Sequence, residues 1–274
     1  MAAQFDLQQA LRRAVASQQL VLFYQPKIDT RTGRIRSVEA LARWNHPQFG
    51  LISPRVFIPL AERFGLISEI GDWVIDEACR QTAQWARERR FMRVSINISG
   101  YQLFQTRLAQ FIAEAIARHH IRPEQLVFEI TESVAMEDDK TTMAVIAELT
   151  GMGVQISIDD FGTGYSSLAL LRQLCADEVK IDRSFVRDVA LKSDARAVVD
   201  AIVRLAHALE LRVVAEGVTN QQQREVLQAL GCDELQGFYF ARPMDAQALI
   251  ASEIWTSDGF EPVRFSRSSY IDNL

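Results

Sequence analysis

The chain alternates between short apolar runs and segments in which apolar residues recur at helical spacing. Eight runs have strand character: residues 20–28, 34–44, 93–99, 126–131, 154–160, 178–182, 212–218 and 233–237. Helical patterns cover residues 54–64, 68–90, 105–119, 141–151, 166–175, 194–209, 219–230 and 245–253. Such alternation predicts a parallel sheet covered by helices, and eight largely apolar strands favour a closed α/β barrel over an open sheet.

The first two strand runs break this pattern because only the turn "DTRTG", residues 29–33, separates them. Two strands joined by so short a turn are antiparallel neighbours. We therefore predict a modified TIM (β/α)8 barrel with an antiparallel first strand. Residues 1–255 are expected to form one domain. The polar, weakly patterned tail at 256–274 is expected to be a C-terminal extension or the stub of a linker.

Composition and charge exclude several classes of function. The net charge of -5 and the scattered basic residues give no sign of a surface for DNA or RNA polymers. Cys79, Cys175 and Cys232 are odd in number, far apart and set in apolar surroundings, which disfavours a disulfide framework or zinc knuckle and fits a reducing cytoplasm. Charged residues interrupt the most apolar stretch, residues 51–70, so no membrane contact is expected from this chain.

Polar residues concentrate at the carboxyl ends of the predicted strands, where barrel enzymes carry their reactive groups. In chain order they are Glu39 and Arg43, Asn97, Glu129, Asp159 and Asp160, Lys180, Glu216 and Gln236. The adjacent Asp159 and Asp160 cannot both face inward along a regular strand. We therefore expect a turn at Asp160, with Gly162 and Gly164 supplying permissive backbone.

Carboxylates that converge on one pocket repel one another unless a cation compensates them. All candidate ligands are oxygen donors, which favours Mg²⁺ or Mn²⁺ over zinc. The paired aspartates suit a site with two ions, as in phosphoester hydrolysis, with Arg43 and Lys180 meeting phosphate oxygens or orienting water. Ca²⁺ is expected to inhibit, because its looser coordination activates water poorly.

Each feature also has a purely structural explanation. The "DDFGTG" segment is typical of a capped turn between a strand and a helix. Glu39 with Arg43, and Lys180 with Asp182, are spaced for structural ion pairs, and Asn97 is placed to satisfy a loop backbone. The concentration of all these groups on one rim favours the functional interpretation.

Seven motifs occur in order: "EALAR" (39–43), "NIS" (97–99), "FEITES" (128–133), "DDFGTGYSSL" (159–168), "VKIDRSF" (179–185), "AEGV" (215–218) and "QGFYFARP" (236–243). Together they resemble the EAL domain of bacterial cyclic di-GMP phosphodiesterases, over residues from about 7 to 253. The resemblance implies hydrolysis of cyclic di-GMP to linear pGpG with Mg²⁺ or Mn²⁺. A cyclic di-GMP-binding module with weak or no activity is the alternative, and a metal-dependent barrel lyase or aldolase is a weaker third candidate.

The resemblance also implies roles for individual residues. The implied metal ligands are Glu39, Asn97, Glu129 and Asp159 for one ion, and Asp159, Asp160 and Glu216 for the other or its water. Lys180 is implied to position the attacking water. Gln25, Leu41 and Arg43 match substrate contacts, and Gln236 matches a polar group that supports the substrate site.

The resemblance also implies a homodimer, and two residues of this chain differ from the family motifs. Glu132 matches an acid that tethers the loop after Asp159, and this loop with its following helix, residues 159–175, is implied to form a homodimer. Thr219 stands where the family commonly has the last glutamate of "EGVE", and Phe238 stands where "QGY" has its tyrosine. Both changes bear on the rate more than on the reaction.

Overall fold

The structure is a computed structural model that describes residues 2–135, 140–164 and 174–252, with side chains from residue 7 onward. The strands are β1 (Leu20–Asp29), β2 (Ile35–His46), β3 (Gly50–Ile52), β4 (Arg93–Asn97), β5 (Leu126–Thr131), β6 (Gln155–Phe161), β7 (Glu178–Ile181), β8 (Arg212–Ala215) and β9 (Glu234–Gln236). The longer helices are α1 (Ala2–Ala16), α2 (Pro54–Arg63), α3 (Ile67–Arg87), α5 (Leu108–His119), α7 (Lys140–Gly151), α9 (Ser193–Ala208) and α10 (Gln221–Leu230). Shorter helices are α4 (Gly100–Leu103), α6 (Glu132–Ala135), α8 (Arg183–Val186), α11 (Ala246–Ala251) and a 3₁₀ turn at Pro123–Gln125.

Eight of the strands close into a barrel. Their order is β1, β9, β8, β7, β6, β5, β4 and β2, and pairing of β1 with β2 completes the ring. β1 runs antiparallel to both of its neighbours, whereas the remaining barrel pairs are parallel. The predicted barrel with an antiparallel first strand is therefore confirmed. The short β3 lies outside the ring and pairs only with the end of β2.

The predicted strands all correspond to observed ones, and the helices differ mainly at their ends. The predicted helix at 105–119 begins only at Leu108. Helix α1 was not predicted, because among its described side chains only Leu11 and Ala14 are buried and the amphipathic signal is weak. β3, α4, α6 and α8 were also missed, being only three or four residues long.

Some predictions fall on parts of the chain outside the described residues. The predicted helix at 166–175 is one, although residues 174 and 175 are described and form a turn. Much of the predicted dimerisation segment at 159–175 is another, and so is the tail at 256–274. The dimer and the proposed domain boundary remain predictions.

The barrel interior is polar, whereas the outward face of the strands belongs to the hydrophobic core. Lys27 on β1 contacts Ser95 on β4 and Glu178 on β7, and neither strand is a neighbour of β1 in the sheet. Its side chain therefore crosses the interior. Alternate strand residues such as Val38 and Ile96 belong to the core that the helices cover. The inward face thus supplies the charged groups of the site.

Two further observations bear on the exclusions drawn from the sequence. No helix within the described ranges combines the length and hydropathy needed to cross a bilayer. All three cysteines are free thiols, with Cys79 and Cys232 buried and Cys175 exposed. The exposure of Cys175 corrects the expectation that all three lie in apolar surroundings.

We predict that Gly237→Ala lowers the free energy of unfolding by about 3 kcal/mol, because the added methyl group has no room. A Cβ at this position would lie 2.1 Å from the carbonyl oxygen and 2.3 Å from the nitrogen of Val218, and backbone atoms cannot swing aside. Urea unfolding curves measure the effect. Gly151→Ala is the control, because a Cβ at that position would meet nothing within 4 Å apart from its chain neighbours and the backbone of its own helix. Wild-type stability in the Gly237 variant would contradict the prediction.

Candidate active site

Lys180 on β7 is the point on which the predicted acidic residues converge. Its Nζ lies 2.6 Å from Glu216 Oε1, 2.7 Å from Glu129 Oε2, 3.1 Å from Asp159 Oδ1 and 4.0 Å from Glu39 Oε1. These four carboxylates come from β2, β5, β6 and the residue that follows β8, so distant parts of the chain meet at one mouth. The Lys180 side chain is only 1% exposed. The structure therefore brings Lys180 together with four of the carboxylates that the sequence placed on one rim.

Glu39 is held by a chain of amide side chains. Asn97 Nδ2 donates to Glu39 Oε1 at 2.8 Å, and Gln236 Nε2 donates to Glu39 Oε2 at 2.6 Å. Gln236 Nε2 also lies 3.2 Å from Gln25 Oε1, and Gln25 Nε2 donates to the carbonyl of Ala241. Asn97 thus bonds to a site residue and not to a loop backbone. Gln25 is a buried support for Gln236 in this structure, and its contact with a substrate remains a prediction.

The chain turns at Asp160, as predicted from the paired aspartates. Asp160 has a φ of +55° and Gly162 a φ of +95°, and the pairing of β6 with β7 shifts register between Ile158 and Phe161. Aspartate tolerates this left-handed backbone better than most residues. Asp159 therefore contacts Lys180, whereas Asp160 is exposed and forms no ion pair with a described residue.

Glu132 fixes the loop that follows the two aspartates. Its buried Oε2 accepts hydrogen bonds from the backbone N–H of Gly162 at 2.9 Å and of Gly164 at 3.1 Å. Gly162 thus supplies the left-handed backbone of this turn, whereas the φ of Gly164 is not positive. A Cβ on Gly164 would instead lie 3.3 Å from the Glu132 carboxyl carbon, so this glycine permits close approach.

Arg43 and Asp182 rule out two of the structural explanations. Arg43 donates to the carbonyl of Ala42 at 2.8 Å and lies over the ring of Phe23, and it forms no ion pair with Glu39 in the described part of the chain. Asp182 caps α8 by accepting from the N–H of Ser184, not by pairing with Lys180. The half-buried guanidinium of Arg43 lies on the same strand face as Glu39 and Leu41.

The two departures from the family motifs lie at exposed positions. Thr219 donates both its N–H and its hydroxyl to Gln223 Oε1 at the start of α10. At this position the chain therefore makes a local helix-capping contact where the family commonly has a glutamate. Phe238 is 49% exposed, and the guanidinium carbon of Arg242 lies 4.4 Å from the centroid of its ring. Neither residue contacts the Lys180 cluster among the described contacts.

The sequence did not identify Lys27, whose side chain is 0% exposed. Its Nζ lies 2.7 Å from Glu129 Oε1, the oxygen that Lys180 leaves free. Lys27 stands near the end of the first apolar run, and a charge in such a run was the only signal available for it. The inward direction of a single side chain becomes evident only once the barrel has closed.

The site carries more negative than positive charge. Burial raises the pKa of Glu216 to about 8, since Lys180 offsets this only in part and Asp159 adds to it. Burial likewise raises the pKa of Glu39, with Glu129 and Asp159 contributing. Glu129 also loses solvation, but Lys180 and Lys27 outweigh that cost and lower its pKa to about 2. Glu129 is thus stably ionised, whereas Glu216 and Glu39 hold a proton more readily than an ordinary glutamate does.

The donor set is suited to a hard cation, although no three His, Cys, Asp or Glu side chains of the described residues are spaced to hold a metal as they stand. The Lys180 ammonium lies among the carboxylates and draws three of them towards itself. Every candidate donor is a carboxylate or amide oxygen, which is the chemistry of Mg²⁺ and Mn²⁺ sites.

The chain belongs to the EAL domain family, whose model matches residues 8–243. It is similar to the bifunctional diguanylate cyclase/cyclic di-GMP phosphodiesterase MucR of Pseudomonas aeruginosa, with 48% identity over 250 residues, which is 91% of this chain and 36% of MucR. The cyclic di-GMP phosphodiesterase PdeR of Escherichia coli is 42% identical over 245 residues, covering 89% of this chain and 36% of PdeR.

Solved structures agree with this assignment. The structure titled PaMucR phosphodiesterase, c-di-GMP complex, has a TM-score of 0.85 and 48% identity, covering 89% of this chain and 99% of that one. The EAL enzyme Bd1971 in its cAMP- and cyclic di-GMP-bound form has a TM-score of 0.85 and 33% identity, covering 91% of this chain and 69% of that one. This chain spans only 36% of the length of MucR.

We predict that the metal-free protein loses stability as the pH rises from about 4.5 towards about 8. Between these values folded Glu216 holds a proton that the unfolded chain has released, so the folded state binds more protons and its stability falls with pH. Glutamine cannot hold this proton, so Glu216→Gln should reduce the fall in the free energy of unfolding with pH by up to about 1.4 kcal/mol per pH unit.

Urea unfolding in the presence of EDTA, repeated across this pH range, measures that slope. Glu148→Gln is the control, because Glu148 is an exposed glutamate on α7. It should keep the wild-type pH dependence. An unchanged slope in the Glu216 variant would show that Glu216 does not hold the extra proton.

Proposed function

We propose that this chain hydrolyses cyclic di-GMP to linear pGpG with the help of Mg²⁺ or Mn²⁺. The observation that carries the proposal is the convergence of Glu129, Asp159 and Glu216 on Lys180 at the carboxyl ends of the barrel strands. Relatives named cyclic di-GMP phosphodiesterases, and an EAL structure solved with this nucleotide, support the choice of substrate.

The metal requirement follows from the charge and the donor atoms of the site. The residues that would hold one ion are Glu39, Asn97, Glu129 and Asp159, and those for a second ion are Asp159, Asp160 and Glu216. A bound divalent ion would supply positive charge and lower the pKa of a bound water. The raised pKa values of Glu216 and Glu39 support this, because burial of these carboxylates outweighs the positive charge of Lys180, and the neighbouring acids raise the pKa values further.

The side chains of this protein bind, orient and hold protons. Lys180 carries the ammonium that would orient the attacking water through its N–H donors. Arg43 has a guanidinium without a carboxylate partner among the described residues, so it can meet a phosphate oxygen, with Leu41 beside it against the base. In the reaction, the attacking water gives up a proton and its oxygen bonds to phosphorus, the bond from phosphorus to the 3′-oxygen breaks, and that oxygen takes up a proton.

A second candidate is a module that binds cyclic di-GMP without turning it over. Thr219 favours it, because its side chain caps α10 where the family commonly has a glutamate near the site. All implied metal ligands and Lys180 are nevertheless retained, which favours the enzyme.

We predict that the purified protein converts cyclic di-GMP to pGpG in Mg²⁺ or Mn²⁺, as resolved by chromatography. Lys180→Met should lower kcat at least about 100-fold, since it removes the donor that orients water. Lys192→Met is the control, because Lys192 is 59% exposed and pairs with Asp188 on the surface. It should retain activity within about twofold of wild type.

Binding is measured in parallel by calorimetry. Nucleotide that binds but yields no pGpG with either metal would reject the hydrolase and establish the binding module. Protein that neither binds nor hydrolyses the nucleotide would reject both candidates. Full activity in the Lys180 variant would remove the proposed role of that ammonium.

We also predict that Ca²⁺ competes with Mg²⁺ and lowers the hydrolysis rate. Calcium accepts the same oxygen ligands but at longer and more variable distances, so it activates water poorly. Rates measured at fixed Mg²⁺ with increasing Ca²⁺ test this. Equal rates with either ion alone would contradict it.

A further inference from the structure

Lys27 is a buried cation below the site, on the side away from the mouth. Its Nζ lies 2.7 Å from Glu129 Oε1, 2.8 Å from Ser95 Oγ and 3.4 Å from Glu178 Oε1. The side chain is 0% exposed, as is that of Glu129. A fully buried lysine requires partners for its charge, and these three groups supply them.

The Glu129 carboxylate contacts two lysines, Lys27 and Lys180, through different oxygens. Lys27 holds Oε1, and Lys180 holds Oε2 at 2.7 Å. The two lysines differ in their other partners. Lys180 is shared with the mouth carboxylates Asp159 and Glu216, whereas Lys27 is shared with groups deeper in the barrel. A change at the mouth can therefore alter the contact to Oε2 and leave the contact to Oε1 in place.

The deeper partner of Lys27 is itself fixed. Glu178 Oε1 accepts from Ser157 Oγ at 3.0 Å, and Glu178 Oε2 pairs with Arg212 at 3.3 Å. In the same lower half of the barrel, Arg93 pairs with Glu234. Lys27 thus stands between a carboxylate held by the lower half and a carboxylate of the candidate site.

We propose that Lys27 is a positioning residue that fixes Oε1 of Glu129, so that Oε2 alone is presented at the mouth as a metal ligand. The inference rests on the proposed function, because it gives Glu129 the role of a ligand. Lys27 neither binds the metal nor touches the substrate. Without it, Glu129 loses the contact that defines its orientation, and a ligand free to rotate binds a metal more weakly.

A purely structural role makes a different prediction. If Lys27 only balances the charge of Glu178, its loss should affect folding and not metal affinity. Lys27→Met removes the cation, and Lys27→Met/Glu178→Gln also removes the deeper negative charge, which would otherwise keep only Arg212 as a cationic partner. Arg93→Met is the matched control, since it removes a cation from the same lower half and breaks the pair with Glu234 without a described contact to Glu129.

The experiment titrates each variant of the whole chain with Mn²⁺ alone and follows free Mn²⁺ by electron paramagnetic resonance, without nucleotide. Circular dichroism identifies the folded variants. We expect Lys27→Met and the double variant to bind Mn²⁺ at least about tenfold more weakly than wild type, and Arg93→Met to stay within about twofold. If Lys27→Met does not fold, the double variant, which also lacks the Glu178 charge, decides the question.

Three outcomes overturn the inference. A folded double variant with wild-type Mn²⁺ affinity would leave Lys27 with only a structural role. Equal weakening by Arg93→Met would mean that any loss of charge in the lower half affects the site. Wild-type protein that binds no Mn²⁺ would instead overturn the metal requirement of the proposed function, which separates that failure from a failure of the Lys27 proposal.

Discussion

Glu129 sits between two buried ammonium groups, and the rest of the site is arranged around that interaction. Lys27 and Lys180 each hold one of its oxygens at 2.7 Å. Removing either cation would leave the buried carboxylates of the barrel interior with one positive charge fewer, which destabilises the fold. The two lysines come from β1 and β7, so this contact links the antiparallel first strand to the parallel strands across the interior.

The antiparallel entry of β1 has a consequence for the site. β1 supplies Gln25 near the mouth and Lys27 two residues further on, on the same strand face. In register, Gln25 lies opposite Glu39 of β2, and Lys27 lies opposite Gln236 of β9. Because β1 runs from the mouth of the barrel towards its opposite end, Gln25 lies nearer the mouth than Lys27. A parallel first strand would place Lys27 nearer the mouth than Gln25.

Apolar runs and strand-end positions were sufficient to predict the barrel, the reversed first strand and the residues that meet at Lys180. What they could not provide is the direction of individual side chains. Lys27 was missed because a lysine in an apolar run does not show which neighbours it will meet across a closed barrel. The close approach of Gly164 to the Glu132 carboxylate was not visible in the sequence for a similar reason, since it depends on tertiary packing and not on local turn chemistry.

The floor and the rim of the site differ in how firmly they are held. Glu39 and Glu129 are buried and have both oxygens bonded, whereas Asp160, Thr219 and Phe238 are exposed at the rim. A rigid floor keeps charged groups in place without reorganisation during a reaction, whereas a rim can vary in sequence with little effect on the fold. Both departures from the family motifs fall on the rim. The buried carboxylates and amides of the floor are therefore the same residues that the family motifs predict, and the two sequence differences lie outside them.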